Sequence, residues 1–343
     1  MITSALRRGR TRGILAATAA LGVAALLTGC SNGTPAPTTD PTQEPSAAVD
    51  PHSPELSHIK VTGIVGPGGA IPLILAADQF GPEYGLEIEF VPADNSGVAI
   101  TQVVSGDVAA ANSSYFGVID AIGQGLPLVV VAEGWASTPE TGYLMARPGS
   151  GIEDLADLEG KTVNAISLTS SHAIKLRDSM LAEGLDPDAV NWVELPYSEV
   201  AAAFDQGTLD ASSAVGPTLA AVLGAGATIV FDYGSGSYQG MAESGWISST
   251  DFITKNPNTV AAFQCAIFAA QGALTNDRAL YEEYFQKALS APEAAAKADV
   301  MLDFQTTNRI DALNRNVEVY EASGLLSKAI DFADHTLAAP SNC

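Results

Sequence analysis

The chain predicts an α/β protein of two lobes, each a sheet of parallel strands covered by helices. Three observations carry this reading. Short apolar runs alternate with helical stretches from Ile59 onward, the grammar of parallel strands under covering helices. The grammar starts again after Arg147, and two segments share one order of parts: VVSGDVAAANSSYFGVIDAIGQG (Val103 to Gly125) and AFDQGTLDASSAVGPTLAAVLGAG (Ala203 to Gly226). Both run helix end, glycine, Asp, small-residue strand, loop, helix, glycine. The length of 343 residues also leaves room for two lobes and a substantial core.

In order, Met1 to Gly29 reads as an export leader. Arg7, Arg8, Arg10 and Arg12 form a basic head, Ile14 to Leu27 is apolar, and Leu27-Thr28-Gly29-Cys30 closes it with small residues. An apolar run of about fourteen residues is short for a membrane span, so cleavage is expected. The Leu-Thr-Gly-Cys ending looks like a lipobox, which implies that Cys30 becomes the lipidated first residue and anchors the chain to the outer face of the cell membrane. Both the Sec and Tat export routes remain open. Residues 30–57 are then the lipidated cysteine and a tether, with six prolines between Ser31 and Leu56 and no apolar periodicity.

The full chain carries 16 Lys and Arg against 39 Asp and Glu, a net charge of −23. Removing the leader leaves 12 against 39, a net −27. Nucleic acid is thereby excluded as a partner, since phosphate neutralisation needs basic clusters. Two cysteines remain beside Cys30, and in an oxidising compartment Cys265 and Cys343 are expected to pair.

Strands are expected at Ile59 to Val65, Leu86 to Val91, Asp107 to Ala111 and Leu128 to Glu133, with helices at Pro72 to Phe80, Val98 to Val104 and Tyr115 to Gly123. After Tyr143 to Arg147 comes Ser150 to Leu181. There Ser150 and Glu153 have capping-box spacing, Gly160 ends a helical turn, Lys161 to Ile166 is a strand, and Ser167, Thr169, Ser170 and Ser171 stand before an amphipathic helix. The start of such a helix presents unpaired N–H groups and a positive dipole end, a seat for a polar or anionic group. Simple capping is the alternative role for these hydroxyls. Strands at Val190 to Leu195, Asp210 to Val215 and Thr228 to Asp232 follow, with helices at Glu199 to Phe204 and Thr218 to Leu223. A strand over Trp246 to Ile253 precedes helices at Pro257 to Asn276, Arg278 to Leu289, Pro292 to Asn314, Val317 to Ser323 and Ser327 to Phe332.

The segments PLILAADQFGPEYGLEIEFVPA, VVSGDVAAAN, GLPLVVVAE, SGIEDLADLEGKTV, FDQGTLDASSAVGP and FITKNPNTVAAFQCA, in this order and spacing, resemble the solute-binding proteins of ABC importers in the nitrate/sulfonate/taurine and thiamine-precursor (NMT1/THI5-like) group. The resemblance covers roughly Ile59 to Leu289. It implies a type II periplasmic-binding-protein-like fold, in which two α/β lobes joined by two crossing strands close on a small molecule. Lobe 1 would be residues 58–144 plus 246–343 and lobe 2 residues 145–245, with crossings near Tyr143 to Arg147 and Gly245 to Asp251. A monomer serving ABC permease and ATPase subunits is implied, with no cofactor.

Loops after the strands would line the cleft. Lobe 1 offers Gly68, Gly69, Asn95, Ser113, Ser114, Tyr115, Glu133 and Trp135; lobe 2 offers Thr169, Ser170, Ser171, Gly216, Pro217 and Tyr233. Trp135, directly after a buried strand, would be a platform for a flat ligand, whereas His172 reads as a helix residue. Between Lys60 and Arg147 there is no Lys or Arg, while Asp94 and Glu133 fall at strand ends. A neutral or cationic ligand, for instance an amine or aminopyrimidine, therefore fits lobe 1 better than a sulfonate or nitrate.

An exported enzyme related to pyrimidine synthases and a ligand-sensing lipoprotein outside transport are the alternatives. The chain has no Gly-x-Ser-x-Gly elbow, its histidines at 52, 58, 172 and 335 form no metal motif, and no cysteine lies between Cys30 and Cys265 for the cysteine-rich motif of such synthases. No metal site is expected.

Overall fold

The computed structural model describes residues 49–343; the leader, Cys30 and most of the tether lie outside the described residues. Elements follow in the order β1 (His58–Ile64), α1 (Ala70–Leu75, continued by a π turn, Ala76–Phe80), β2 (Glu87–Ala93), α2 (Ser96–Ser105), β3 (Ala110–Ser114), α3 (Tyr115–Gly123) and β4 (Leu128–Ala136). The chain then forms β5 (Tyr143–Ala146), β6 (Thr162–Ala165), α4 (Ser171–Ala182), β7 (Asn191–Glu194), α5 (Tyr197–Asp205), β8 (Ala211–Ala214), α6 (Gly216–Gly224) and β9 (Thr228–Asp232). It closes with β10 (Ala242–Ser249), α7 (Thr250–Lys255), α8 (Pro257–Asn276), α9 (Arg278–Leu289), α10 (Glu293–Ala298), β11 (Asp303–Phe304) and α11 (Ile310–Ala322).

Two sheets result, β11-β4-β10-β3-β1-β2 and β7-β6-β8-β5-β9. In each, three neighbouring strands are parallel (β3, β1, β2 and β8, β6, β7). Beside them runs one antiparallel strand, β10 or β5, by which the chain passes into that sheet from the other. The two segments of similar sequence fall on equivalent parts: α2 end, β3, α3 in one and α5 end, β8, α6 in the other. Their strands, AANSS and ASSA, are wholly buried, and small side chains there let helices approach both faces.

The chain passes between the sheets at residues 137–142 and 233–241. Both expected crossings move: Tyr143 to Arg147 is β5 itself with the residue after it, and Gly245 to Asp251 is the later part of β10 and the start of α7. The passages touch: a Cβ on Gly234 would lie 1.7 Å from the carbonyl oxygen of Thr138, so only glycine fits there.

Cores sit on both faces of each sheet. Under α8, Val260, Phe263 and Ile267 are buried against Trp246, whose Nε1 donates to Gln271 Oε1 at 3.0 Å. A disulfide joins Cys265 of α8 to Cys343, across a sequence separation of 78. At the other end of the chain, the stretch 50–57, expected as tether, is docked on the start of α8. Glu55 carboxylate oxygens accept from the N–H of Asn258 (3.0 Å) and Thr259 (2.7 Å), and His52 stacks on Tyr84. A carboxylate at a helix start is the favourable arrangement.

Several expected boundaries move. The strand expected at Asp107 to Ala111 begins later, at Ala110. The capping box lies at Asp154 and Asp157, starting a 3-10 turn, Leu155–Leu158, and Ser150 Oγ is buried without a partner. The helix expected over Pro292 to Asn314 breaks into α10, β11 and α11. Where α10 ends, the Arg278 guanidinium donates to the carbonyls of Ala296 (2.8 Å), Lys297 (3.1 Å) and Asp299 (2.9 Å), satisfying groups left unpaired there. Within Ser327 to Phe332, expected helical, only Phe332 falls in a helical turn, the 3-10 turn Phe332–Asp334.

Candidate functional site

Between the two sheets, beyond the carboxyl ends of their parallel strands, lies a cavity of about 250 Å³. Ligands in open α/β sheets bind at that end because the loops and helix starts there carry unpaired polar groups. The first sheet contributes Ile64 to Gly69 after β1, Ser96 at the start of α2, Asn112 and Ser114 of β3, Trp135 of β4, and Glu243 and Ser244 of β10. The second contributes Ile166, Ser170 to His172 at the start of α4, Tyr197, and one side of α6 from Val215 to Leu223. Glu140 and Thr141 of the first passage and residues 295–302 close it.

Of the residues expected at the cleft, Gly68, Gly69, Ser114, Trp135, Ser170, Ser171 and Gly216 line this cavity. Gly68 makes room for Trp135, since a Cβ there would lie 2.3 Å from the indole Nε1. Ser114 Oγ is buried and has no partner among the described residues. Ser170 caps α4, accepting from the Ala173 N–H at 3.3 Å.

The others are not among the lining residues. Asn95 caps α2 through the Val98 N–H at 3.1 Å. Ser113 Oγ turns to the Ser114 carbonyl, and Thr169 Oγ1 faces Ser167 Oγ at 3.5 Å. Tyr115 is fully buried, its hydroxyl against Gly245, and burial pushes the phenol pKa well up. Pro217 is exposed at the second position of α6. Tyr233 is buried with its hydroxyl on Ser213 Oγ at 2.9 Å, and it stacks beneath His172 with ring centroids 4.3 Å apart. Glu133 is fully buried and bound by Arg309 through both the guanidinium and the backbone N–H, the latter at 2.9 Å.

Sequence reasoning missed the polar cluster on the wall. Glu243 of β10, 4% exposed, receives Lys175 Nζ, Ser137 Oγ and Ser171 Oγ. Lys175, wholly buried on α4, also donates to Ser137 Oγ at 2.5 Å and the Tyr233 carbonyl at 3.1 Å. Burial lowers the lysine pKa, opposed by the Glu243 carboxylate. His172 is on the cavity, with Nδ1 3.2 Å from the Tyr197 hydroxyl; burial drives its pKa down to about 4, so the ring is neutral near pH 7. Asp299 lines the far side. Its Oδ2 accepts from the Tyr281 hydroxyl at 2.6 Å, and burial raises the carboxyl to about 6 against the pull of Tyr281 and Arg278. The only signal for Asp299 was the Asp-Val-Met-Leu-Asp run, whose apolar triplet between acids interrupts helical spacing.

The family described as NMT1/THI5 like matches residues 71–278. Among solved structures, the alkanesulfonate-binding protein SsuA from Xanthomonas axonopodis pv. citri bound to MOPS aligns with a TM-score of 0.70 at 20% identity, covering 84% of this chain and 100% of that one. The periplasmic aliphatic sulphonate binding protein SsuA from Escherichia coli gives 0.65 at 17%, covering 81% and 96%. The periplasmic nitrate-binding protein NrtA from Synechocystis PCC 6803 gives 0.63 at 16%, covering 71% and 69%. No curated protein sequence matches significantly. The fold is that of type II periplasmic binding proteins.

Proposed function

We propose that this chain, which belongs to the NMT1/THI5-like family, is an extracytoplasmic solute-binding lipoprotein that captures a small organic molecule and delivers it to the permease of an ABC importer. The observation that carries the reading is the cavity, built from both sheets and bordered by the passages that connect them. It has room for far more than a single water or a bare oxyanion. Binding there ties the two lobes together, so a ligand can report its arrival to a permease by closure. The lipobox supports anchoring through Cys30, with the proline-rich segment as spacer.

The test is a thermal-shift screen of the full chain over sulfonates, nitrate, taurine, pyrimidines, amines and amino-acid-like solutes. One solute is expected to stabilise the protein saturably, by about 2.7 kcal/mol at a hundredfold excess over Kd. Well-folded protein that responds to none of them but turns over a substrate sinks the reading in favour of the enzyme. Cys30→Ala is expected to release the chain from the membrane fraction, and retention there would remove the lipid anchor.

A further inference from the structure

The charge around the cavity runs opposite to what an anion carrier needs. Its charged lining residues are Glu140, Glu243 and Asp299, with no Lys or Arg among them. Lys175, just behind the wall, is fully committed to Glu243, Ser137 and the Tyr233 carbonyl. Side chains at the helix starts bordering the cavity are engaged within the chain. At α4, Ser171 Oγ and Lys175 already serve the carboxylate of Glu243. At α6, Asp299 sits by the first residue: a Cβ on Gly216 would lie 3.8 Å from Asp299 Oδ1. The second residue of α6 is Pro217, which has no N–H to offer. At α2, Asn95 takes the Val98 N–H, and Ser96 Oγ takes the N–H of Ser114.

Two features are left open. Asp299 Oδ1 receives no hydrogen bond among the described residues, its other oxygen being held by Tyr281. Ser114, 8% exposed, lines the cavity, and its buried Oγ has no partner among the described residues. Trp135, Gly68, Pro67, Gly216 and Asp299 form a continuous stretch of wall, as the close approaches of Trp135 to Gly68, of Pro67 to Gly216, and of Gly216 to Asp299 show. An indole and a free carboxylate oxygen on one wall suit a cation on an apolar frame.

Resting on the solute-binding reading, we infer that the cavity takes an organic cation, an ammonium group on an apolar frame, with its charge at Asp299 and its frame against Trp135. Burial raises the Asp299 carboxyl to about 6 even with Arg278 pulling it down, so an ammonium beside it would favour its charged form. The acidic surface, net −23 over the whole chain, draws the same class of ligand from solution.

The experiment uses four probes on the full chain: 2-phenylethylammonium, its neutral isostere 2-phenylethanol, 2-phenylethanesulfonate and nitrate, each titrated by thermal shift. The ammonium is expected to stabilise most, the alcohol less, and the two anions not at all. Asp299→Asn keeps an acceptor for Tyr281 and is expected to cut ammonium affinity about tenfold or more while leaving alcohol affinity and the unliganded Tm in place. A response to the sulfonate or nitrate overturns the ligand class and leaves the binding protein standing. An ammonium preference that survives Asp299→Asn overturns the assignment to Asp299. Silence toward all four, with a ligand of another class emerging from the wide screen, overturns this inference alone; silence in both overturns the solute-binding reading as well.

Discussion

Glu133 and Glu243 stand on neighbouring antiparallel strands, each meets a cation, and they do different work. Glu133 of β4 is fully buried behind the cavity. Its oxygens take the Arg309 guanidinium and N–H, and its own N–H donates to Asn308 Oδ1 at 2.6 Å, so it staples the chain ahead of α11 onto the first sheet. Glu243 of β10 reaches the other way, to Lys175 and Ser171 of α4, and so ties a strand of the first sheet to a helix that packs on the second. Its position on the cavity wall makes that tie part of the site. A carboxylate near a strand end is therefore assigned by its partner's location, not by its own. Glu133 has a partner within its lobe, and Glu243 has one across the passages.

The largest expected difference follows from where the stranded charge would go. Lys175→Ala leaves Glu243 buried and short of its cation, which costs about 3–5 kcal/mol. Glu133→Ala leaves Arg309, whose side chain is 33% exposed and can turn to water, so the loss should be near 2 kcal/mol. Urea unfolding of the two variants compares them directly, and equal losses would break the distinction. Replacing both members of the interlobe pair, Lys175→Met with Glu243→Gln, should recover most of the stability. The double variant should still lose any ligand-driven closure, because the wall has been rebuilt.

A second difference is pH. The Glu243 side carries His172, held down to about 4 chiefly by burial, with Glu243 opposing and Lys175 assisting. The unfolded chain takes up this proton below its ordinary value of 6.5 and the folded chain only near 4, so stability is lost as pH falls across that window. Between neutrality and pH 5 the loss amounts to about 2 kcal/mol. Asp299 acts in the opposite sense over an overlapping range, since its raised carboxyl favours the folded state as pH falls from about 6 toward its ordinary value of 3.8. The measurement is accordingly a difference, native against His172→Gln, in chemical unfolding at both pH values. His172→Gln should be less acid-sensitive, whereas Glu133→Gln should leave this His172-dependent part of the acid sensitivity in place.

The sequence made the alternation legible, and helices α3, α8 and α9 begin and end where apolar spacing and the flanking Gly, Pro and Asp signals put them. The opening hydroxyl segment was legible as a strand leading into a helix, with Ser170 at its cap. What was not legible is side-chain direction at the cleft. Glu133 and Trp135 are two apart on β4 and would share a face in a regular strand, yet only Trp135 lines the cavity. The β4–β10 pairing shifts register between Ala242 and Ser244 and again between Ser244 and Gly245, re-aiming side chains there in a way no residue pattern announces. Lys175 was hidden for a different reason. It lies within a helix of low amphipathic contrast, where a lysine ordinarily reads as solvent-facing, and only a carboxylate 68 residues away keeps it buried.

The smallest predicted effect tests whether Trp135 is the part of β4 that serves the ligand while Glu133 serves the fold. Gly68→Ala would place a methyl group 2.3 Å from the indole Nε1, and the ring is the element free to move, being only half-buried on the cavity side. The displaced ring should weaken ligand binding by roughly tenfold, about 1.4 kcal/mol, through lost stacking and cation–π contact. Unliganded stability should hardly change, since the ring swings into an open cavity. Of the three tryptophans, Trp246 is sealed in the core and Trp192 Nε1 is bound to the Pro187 carbonyl, so a shift in emission on Gly68→Ala reports Trp135. Weakened binding with shifted emission and an unchanged urea midpoint would separate the two ends of one strand by function; a fall in the midpoint would instead make Trp135 a core residue like Glu133.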